Sequence, residues 1–582
     1  MTPMGDFWAS MRAAKQSSAL SDVSFYFADL LARMDKTASE PVLLAGALAV
    51  EQALSGEIRL DLKRFYGQAV FGDRVDLVAP SEEIWQRALS ESHLVGDGSK
   101  TTVLVRSEES LYLYRYFNLE KRFASLLADR THRQAGIVSS IPSDSVLIEA
   151  FGDDQGTQEQ RSAVRMAFDH RISIVSGGPG TGKTATVRRL LPLMWQYAGV
   201  SPERTLLCAP TGKAAARLRA TLLERSDDSL FSGFSAGAVT IHRLLGWQPG
   251  GNFRYGATRR LPCDLLVIDE ASMVDLALMV SLFEALPDES RVILLGDRDQ
   301  LASVEAGAVL GDMSSAAESG IWPGGLVELK HNWRFGSESP IARLASAVRM
   351  GDARRAIDEL SASDQGPVSL LEIADDQSFD ARIDEHIYPF FESITEALRA
   401  GEGLEEQFAR LEQLMVICAH RHGSRGVEAV NTRIVERLGH SSRSSIGPVF
   451  PGMPVMLTRN SPGLGLFNGD IGIVVEGEKF SGLQAAFPGS DGRVMRYSLN
   501  RLPDYQPAYA LTTHKAQGSQ AKHVFLILPE KDSRVLSREL IYTGITRARE
   551  SVQICGRSEV LLCAIGKSAV RPTGLLERLQ CR

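Results

Sequence analysis

Cysteine is scarce in this chain: six in 582 residues, at positions 208, 263, 418, 555, 563 and 581, with no C-x-x-C pair. Disulfide frameworks and zinc sites need closely paired cysteines, so neither is expected, and the usage suits a reducing cytoplasm. His420 and His422 stand without further ligand-type residues and read as surface or loop histidines rather than metal ligands. No apolar run reaches the ~18 residues that a membrane-spanning helix needs. Met1 to Leu20 lacks a signal-peptide pattern, so no membrane partner is expected. Positive charge is not in surplus either: 64 Lys and Arg against 71 Asp and Glu leave a formal net charge of −7. That excludes a chain that is basic overall, although a local groove can be basic on an acidic protein. Low-complexity tails and fixed-period repeats are missing as well.

What is present is ordinary globular composition, 44% apolar and 23% charged, over a length that accommodates about four compact units. A polar, glycine-bounded stretch at Gly152-Asp153-Asp154-Gln155-Gly156 separates an N-terminal region from the rest of the chain. Beyond it, short apolar runs alternate with helical stretches: 172–176, 205–208, 265–268 and 292–295, then 416–419, 524–528 and 552–555. Runs of this length suit strands buried on both faces, and their alternation with crossover helices predicts two α/β domains of similar design.

The run 172–176 leads into Gly177-Gly178-Pro179-Gly180-Thr181-Gly182-Lys183-Thr184 and then into helix formers. A strand-to-helix turn of this kind is the setting of a phosphate-binding loop. Glycines let successive backbone N–H groups curl around a polyphosphate, and the helix N-terminus adds its partial positive charge. Lys183 then reaches the outer phosphates and Thr184 offers a hydroxyl to Mg²⁺. Leu265 to Ile268 ends in Asp269-Glu270, an acidic pair where α/β sheets place catalytic groups. Asp269 is expected to hold Mg²⁺ and Glu270 to polarise the attacking water; the bland alternative is a solvated strand end. Gln160, upstream of the loop, offers an amide to the adenine edge. Gln300, in Gly296-Asp297-Arg298-Asp299-Gln300, sits where the γ-phosphate is sensed, unless this is only a tight polar turn. Arg334 and Arg547 are the candidate arginine fingers.

Three segments suit a nucleic-acid strand: Ala209-Pro210-Thr211-Gly212-Lys213, Thr240-Ile241-His242-Arg243 and Thr512-Thr513-His514-Lys515. The first follows a strand and opens a helix, so Thr211 and backbone amides suit a phosphate. The other two have similar hydroxyl-plus-base chemistry, which makes Thr211, Lys213, Thr240, His242, His514 and Lys515 candidate strand contacts. Lys213 and Arg217 share one helix face at i, i+4, which by itself describes any solvated basic face. Gly246 to Cys263, with Gly250-Gly251, Arg254, Tyr255, Arg259 and Arg260, predicts a small β-hairpin that touches DNA. Pro448 to about Pro507 holds short apolar runs broken by Asn468-Gly469 and Asp491-Gly492, two hairpin signals that fit a small SH3-like barrel.

In this order the segments resemble superfamily 1 helicases, most closely the RecD type, the alpha subunit of exodeoxyribonuclease V (the RecBCD enzyme). The residues that carry the resemblance are the phosphate loop, APTGKAAARL from Ala209, TIHRLLG from Thr240, VIDEASMVD from Val267 and GDRDQLASVEAGAVLGD from Gly296. WRFGS from Trp333, GLFNGDIGI from Gly465, THKAQGS from Thr513 and YTGITRAR from Tyr542 complete the set. Asp22 to Phe25 and Leu111 to Tyr116 add weaker features of the same type. The resemblance implies tandem RecA-like P-loop domains with a β-hairpin insertion, an SH3-like β-barrel insertion and a mainly helical N-terminal domain. The boundaries expected are 1–150 for a partner-docking domain, 151–335 for the first RecA-like domain and 336–582 for the second. It implies ATP and Mg²⁺ as cofactors and 5′-to-3′ movement on single-stranded and duplex DNA. RecB-like and RecC-like subunits are the implied partners, in double-strand break repair and recombination. The nucleotide roles fall on Lys183, Thr184, Asp269, Glu270, Arg334 and Arg547. Two departures stand out: Ala516 and Gln520 occupy positions where the fifth motif has Ser and Glu. The stretch from Gly311 to Asn332 is also short for the family.

A stand-alone helicase of the same family is the nearest alternative, but the helix-hairpin-helix repeats typical of that group are not found in the N-terminal region. Leu113, Phe117, Phe123, Leu126 and Leu127 there form an amphipathic pattern that suits either a partner or this chain's own core. A nucleotide-switched binding subunit is the remaining alternative, against which Glu270, Arg334 and Arg547 argue. No carboxylate–lysine constellation of a nuclease stands apart from the NTPase motifs, so nuclease chemistry is assigned to a partner.

Overall fold

The computed structural model describes residues 3–71, 75–132, 141–223, 237–248, 250–303, 306–334, 339–361, 366–441, 449–477, 482–489, 493–533, 535–569 and 573–580. The N-terminal unit opens with helices Pro3–Gln16, Asp22–Met34 and Glu40–Leu54. Ser21 caps the second by accepting a hydrogen bond from the Ser24 amide, and the Glu51 carboxylate of the third helix accepts from the Ser21 amide and the Ser24 hydroxyl. The unit is not helical alone. Strands β1 (Arg59–Asp61), β2 (Val95–Gly96), β3 (Leu104–Ser107) and β4 (Ser110–Leu113) form a sheet in the order β1-β4-β3-β2.

The amphipathic pattern after β4 becomes the helix Tyr114–His132, and its apolar face is used within the chain. Phe123 and Leu127 are fully buried in the core of the first α/β domain, where the Phe123 ring meets Phe283 edge-on at 5.4 Å. Arg130 donates to the carbonyls of Phe283 (3.0 Å), Leu286 (2.9 Å) and Pro287 (2.7 Å), satisfying the exposed C-terminal carbonyls of the helix Leu276–Ala285. Of the two readings open for this pattern, packing on the chain's own core is the one realised at Phe123 and Leu127, because burying them stabilises where something covers them, and for the Phe123 ring Phe283 does.

The last described residues, 573–580, close a clasp over the same junction. The Gly574 amide and Arg578 Nε donate to the two oxygens of Glu120 (2.7 and 2.8 Å), and Arg59 forks onto Glu577 (2.9 and 3.0 Å). Glu120 is 1% exposed, and Arg578 stacks 4.2 Å from the Phe117 ring centroid. Removing one partner of a buried pair leaves an uncompensated charge. Arg578→Met is therefore expected to cost about 3 kcal/mol in urea unfolding of the region that contains Glu120, without changing nucleotide affinity; equal stability of variant and parent would show that the clasp is not structural.

The first α/β domain is a six-stranded, all-parallel sheet of β5 (Ile172–Gly177), β6 (Thr205–Ala209), β7 (Val239–Thr240), β8 (Leu265–Ile268), β9 (Arg291–Gly296) and β10 (Gly325–Leu329), ordered β10-β5-β9-β8-β6-β7. Every residue of β5, β8 and β9 is buried, as both faces carry helices. The second domain repeats the design with β11 (Val368–Glu372) and β12 (Leu414–Cys418), then three strands after an insertion. That insertion, β13 (Pro454–Leu457), β14 (Ile471–Glu476), β15 (Leu483–Pro488), β16 (Val494–Ser498) and β17 (Tyr505–Pro507), is an antiparallel sheet in the order β16-β15-β14-β13-β17. The chain returns through β18 (Ala510–Thr512), β19 (Ala521–Ile527) and β20 (Ala548–Gly556), giving a parallel sheet ordered β11-β20-β19-β12-β18. Val455, Leu457, Val474 and Phe487 of the insertion share one core with Tyr509 and Phe391 of that domain. The Asn468-Gly469 signal falls in the loop between β13 and β14, with Gly469 at φ 94°, whereas Asp491-Gly492 lies outside the described residues.

At 246–263, where a small hairpin is expected, the chain pairs antiparallel with itself over a few residues. The segment makes two tight reversals, each closed by one isolated bridge, Trp247 with Phe253 and Gly256 with Arg259. Gln248 N donates to Asn252 O (2.9 Å) and Arg254 N to Gly246 O (3.1 Å) on either side of the first bridge, and Gly250 and Gly251, at φ 108° and 85°, make the reversal between them.

Candidate functional site

The phosphate loop leaves β5 at Gly177 and enters the helix Lys183–Tyr197. Gly180 and Gly182 both hold φ 86°, a region that side chains rarely adopt, so the loop's curl depends on glycine. A roof lies over it. A Cβ on Gly180 would meet Asn332 Oδ1 and Arg334 Cβ at 2.7 Å, and one on Gly182 would meet Gln160 Nε2 at 2.7 Å and Trp333 Cδ1 at 3.1 Å. The Trp333 amide donates to Gly180 O (2.9 Å) and Asn332 Nδ2 to Pro179 O (3.1 Å). Lys183 Nζ donates to Gly177 O (2.5 Å) and Gly178 O (3.0 Å), and Thr181 Oγ1 to Gly178 O (2.8 Å). Thr184 stands in the first helical turn, half-buried.

Three carboxylates face Lys183. Asp269 sits at the end of β8, where its Oδ1 accepts from the Glu270 amide (2.9 Å). Glu270 holds φ 50°, a strained left-handed conformation for a residue with a side chain, of the kind that clusters at active sites. Asp297, beyond β9, accepts from Gln300 Nε2 and from the Tyr542 hydroxyl of the second domain, both at 3.0 Å. Burial, and then the neighbouring Glu270 charge, push Asp269 upward to about 6; burial also raises Asp297, with Lys183 opposing both. Burial lowers Lys183 while Asp297, Glu270 and Asp269 hold its charge. Gln300 Oε1 is buried without a hydrogen-bond partner among the described residues, facing the site with its acceptor unused.

Arg547 approaches from the other domain. Its side chain is 1% exposed, with Nε donating to Thr543 O (3.0 Å) and Nη1 to Ser519 O (3.4 Å), and Nη2 has no hydrogen-bond partner among the described residues. Burial lowers its pKa, and Glu270 and Asp297 across the cleft oppose that. Arg334 is lowered to about 10 by burial and then by Arg217, Arg549 and Arg547. The cleft is pinned beside these groups, since the Leu301 amide donates to Thr543 Oγ1 (2.8 Å) and Gln517 Nε2 donates to Leu301 O (2.7 Å).

The three hydroxyl-plus-base segments share one device. Thr211, Thr240 and Thr512 each cap a helix, accepting from the amides of Ala214 (3.2 Å), Arg243 (3.3 Å) and Lys515 (3.3 Å). Thr513, by contrast, is buried. Gly518 comes within 3.9 Å of Thr211 Oγ1, measured from the Cβ it would carry, so the Thr211 and Thr512 segments meet across the domains. Lys515 Nζ donates to Asn468 Oδ1 (2.7 Å), and Lys213 faces Glu412 and Asp470. His242 lies 5.9 Å from the Phe253 ring, and burial lowers its pKa. His514 occupies the turn between Thr512 and Lys515 and is half-buried. Ala516 is packed in the apolar core of the second domain, a place where a serine hydroxyl would need a buried partner. His420 pairs with Ser533 (2.8 Å) and His422 with Glu428 (2.9 Å), and no His, Cys, Asp and Glu cluster able to hold a metal occurs among the described residues. Sequence reasoning missed Trp333 as a roof, Tyr542 and Gln517 as cross-domain ties, and Arg217 and Arg549 near the cleft. All five stand inside motifs quoted from the sequence, but nothing in their local spacing assigns them these contacts.

Three family models match the chain: an AAA domain at residues 160–306, a UvrD-like helicase C-terminal domain at 507–555, and the N-terminal domain of RecBCD enzyme subunit RecD at 16–112. RecBCD enzyme subunit RecD of Mycolicibacterium smegmatis is 38% identical over 94% of this chain and 96% of its own length. The subunit of the same name from Haemophilus influenzae is 30% identical over 97% and 98%. The ATP-dependent RecD2 DNA helicase of Deinococcus radiodurans is 32% identical over 81% of this chain but 59% of its own. With identity sustained from end to end, and with a phosphate loop, an acidic pair and a cross-domain arginine meeting in one cleft, the chain belongs to the RecD family of RecBCD enzyme subunits.

Proposed function

We propose that the chain is the ATP-dependent 5′-to-3′ DNA helicase subunit of a RecBCD-type helicase/nuclease complex, with RecB-like and RecC-like partners, in double-strand break repair and recombination. The carrying observation is that Arg547 and Tyr542 of the second domain reach, respectively, toward Glu270 and onto Asp297 of the first. A cleft wired in this way links what happens at the nucleotide to the separation of the two domains.

In this reading the loop amides and Lys183 bind the phosphates, Gln160 reads the adenine edge, and Trp333, 49% exposed above Gly182, offers the base a stacking face. Thr184 and Asp269 would hold Mg²⁺, which neutralises phosphate charge; the acidic surroundings of Lys183 fit such a cation. Glu270, held in its strained turn, orients the attacking water. Gln300 sets its unused Oε1 toward the γ-phosphate side, and Arg334 and Arg547 stabilise the charge that grows as the bond breaks. The capped turns at Thr211, Thr240 and Thr512, with Lys213, His242, His514 and Lys515, form the strand track across both domains. The antiparallel insertion is an SH3-like barrel whose Asn468 turn borders that track through Lys515.

Purified chain is expected to hydrolyse ATP faster with single-stranded DNA than without, and to unwind 5′-tailed duplexes in preference to 3′-tailed ones. Unwinding from the 3′ tail would reverse the polarity. DNA-stimulated hydrolysis without any unwinding would mean that the motor works only with its partner subunits, and hydrolysis indifferent to DNA would favour a nucleotide-switched binding subunit.

A further inference from the structure

We propose that Tyr542 is a positioning residue for hydrolysis: acting through Asp297, its hydroxyl fixes the Gln300 amide with Oε1 turned to the attacking water, and only while the two domains are in contact. The proposal rests on the helicase reading above and deepens it by naming how closure of the cleft switches on the chemical step.

The three side chains form one continuous set of contacts against the phosphate loop. The Tyr542 hydroxyl and Gln300 Nε2 both donate to Asp297 Oδ2 at 3.0 Å, and the Asp299 amide donates to Oδ1 at 3.1 Å. A Cβ on Gly178 would meet the Tyr542 hydroxyl at 3.0 Å and Asp297 Oδ2 at 4.0 Å. The network therefore lies directly on the loop, beside the Gly178 carbonyl that accepts from Lys183 Nζ (3.0 Å). Tyr542, Asp297 and Gln300 are all buried there.

The donor and acceptor inventory decides which way the amide points. An ionised carboxylate only accepts, and three donors around Asp297 are the surroundings that keep it ionised. It therefore takes the NH₂ end of Gln300 and leaves Oε1 on the far side of the amide. That oxygen is buried without a hydrogen-bond partner among the described residues, which is unfavourable until a donor arrives. A charged phosphate oxygen accepts and cannot be that donor, whereas a water can, and accepting its proton turns a lone pair toward phosphorus. Without Tyr542, Oδ2 keeps a single donor and the carboxylate loses the anchor that sets its plane, and with it the plane of the amide.

The second domain grips the next residue as well. The Leu301 amide donates to Thr543 Oγ1 (2.8 Å) and its carbonyl accepts from Gln517 Nε2 (2.7 Å). Thr543 O in turn accepts from Arg547 Nε (3.0 Å). Contact between the domains thus delivers the water-orienting acceptor and the arginine finger together, and separation withdraws both. Gln517 ends the short helix that Thr512 caps, so the strand track reaches the same pair of residues.

The test uses the full chain with Tyr542→Phe, Gln300→Ala and the two combined, measured for DNA-stimulated kcat, KM for ATP and affinity for ADP. Tyr542→Phe keeps the ring and removes only the donor. Expected is a kcat lowered about tenfold, with KM and ADP affinity within about twofold of parent. In the Gln300→Ala background the same substitution should cost less than about twofold, because a group that acts through Gln300 then has nothing left to position. Equal fold losses in the two backgrounds would overturn the proposal and leave Tyr542 as a structural tie. A parental kcat in either single variant would overturn it as well. So would loss of ADP binding in step with kcat, which would show a collapsed cleft. Parent protein without DNA-stimulated hydrolysis would sink the helicase reading instead, an outcome recognisable before any variant is measured.

Discussion

Arg547→Ala is expected to lower DNA-stimulated ATP hydrolysis by about 10³–10⁵-fold, the range attributed to an arginine finger. The size reflects how the side chain is held. It is 1% exposed and two of its nitrogens are committed to Thr543 and Ser519 carbonyls, which leaves Nη2 pre-aimed with no reorganisation to perform when charge develops. Its base is fixed by the same segment that ties the domains, because Tyr542 bonds Asp297 and Thr543 bonds the Leu301 amide. Arg547→Lys keeps the charge but not the fork, so it should recover only a small part of the rate. The deciding measurement is single-turnover hydrolysis beside ADP binding. A loss confined to the chemical step supports the role, whereas loss of ADP binding to the same degree would mean that the substitution collapses the cleft.

Lys183→Gln is expected to remove at least about 10²–10³-fold of hydrolysis while the protein stays folded. Lys183 donates only to loop carbonyls and faces three carboxylates, so its ammonium is stored beside the phosphate path rather than used to hold the core. Glutamine retains the stem and a donor but not the charge that offsets Asp269, Glu270 and Asp297. Hydrolysis and nucleotide affinity measured alongside the thermal transition separate the two effects. Parental turnover in a folded variant would refute the phosphate-loop assignment.

How much of the fold and the site is legible in the sequence depends on the range of the interactions involved. The phosphate loop is a local object: glycines at 180 and 182 permit the φ of 86° that the curl requires, and the apolar run before them pairs on both sides within a buried sheet. The same holds for the strand ends at Asp269 and Asp297 and for the threonine caps at 211, 240 and 512, since each hydroxyl reaches an amide three residues on. The short reversal within 246–263 is local as well. Gly250 and Gly251, at φ 108° and 85°, make the reversal across which Trp247 and Phe253 pair.

The sequence by itself determined the alternation of buried strands and crossover helices, the phosphate loop and the residue types that surround a nucleotide, because each depends on neighbours a few positions apart. Only the tertiary structure decided which distant groups meet. Asp297 and Tyr542 are 245 residues apart, and Glu120 and Arg578 are 458 apart. Helix 114–132 found cover for Phe123 on Phe283, a residue 160 positions further along the chain. Contacts of that separation carry no periodic trace along the chain. They exist because burying charge and aromatic surface stabilises only where a complementary surface waits, and that surface forms when the domains pack.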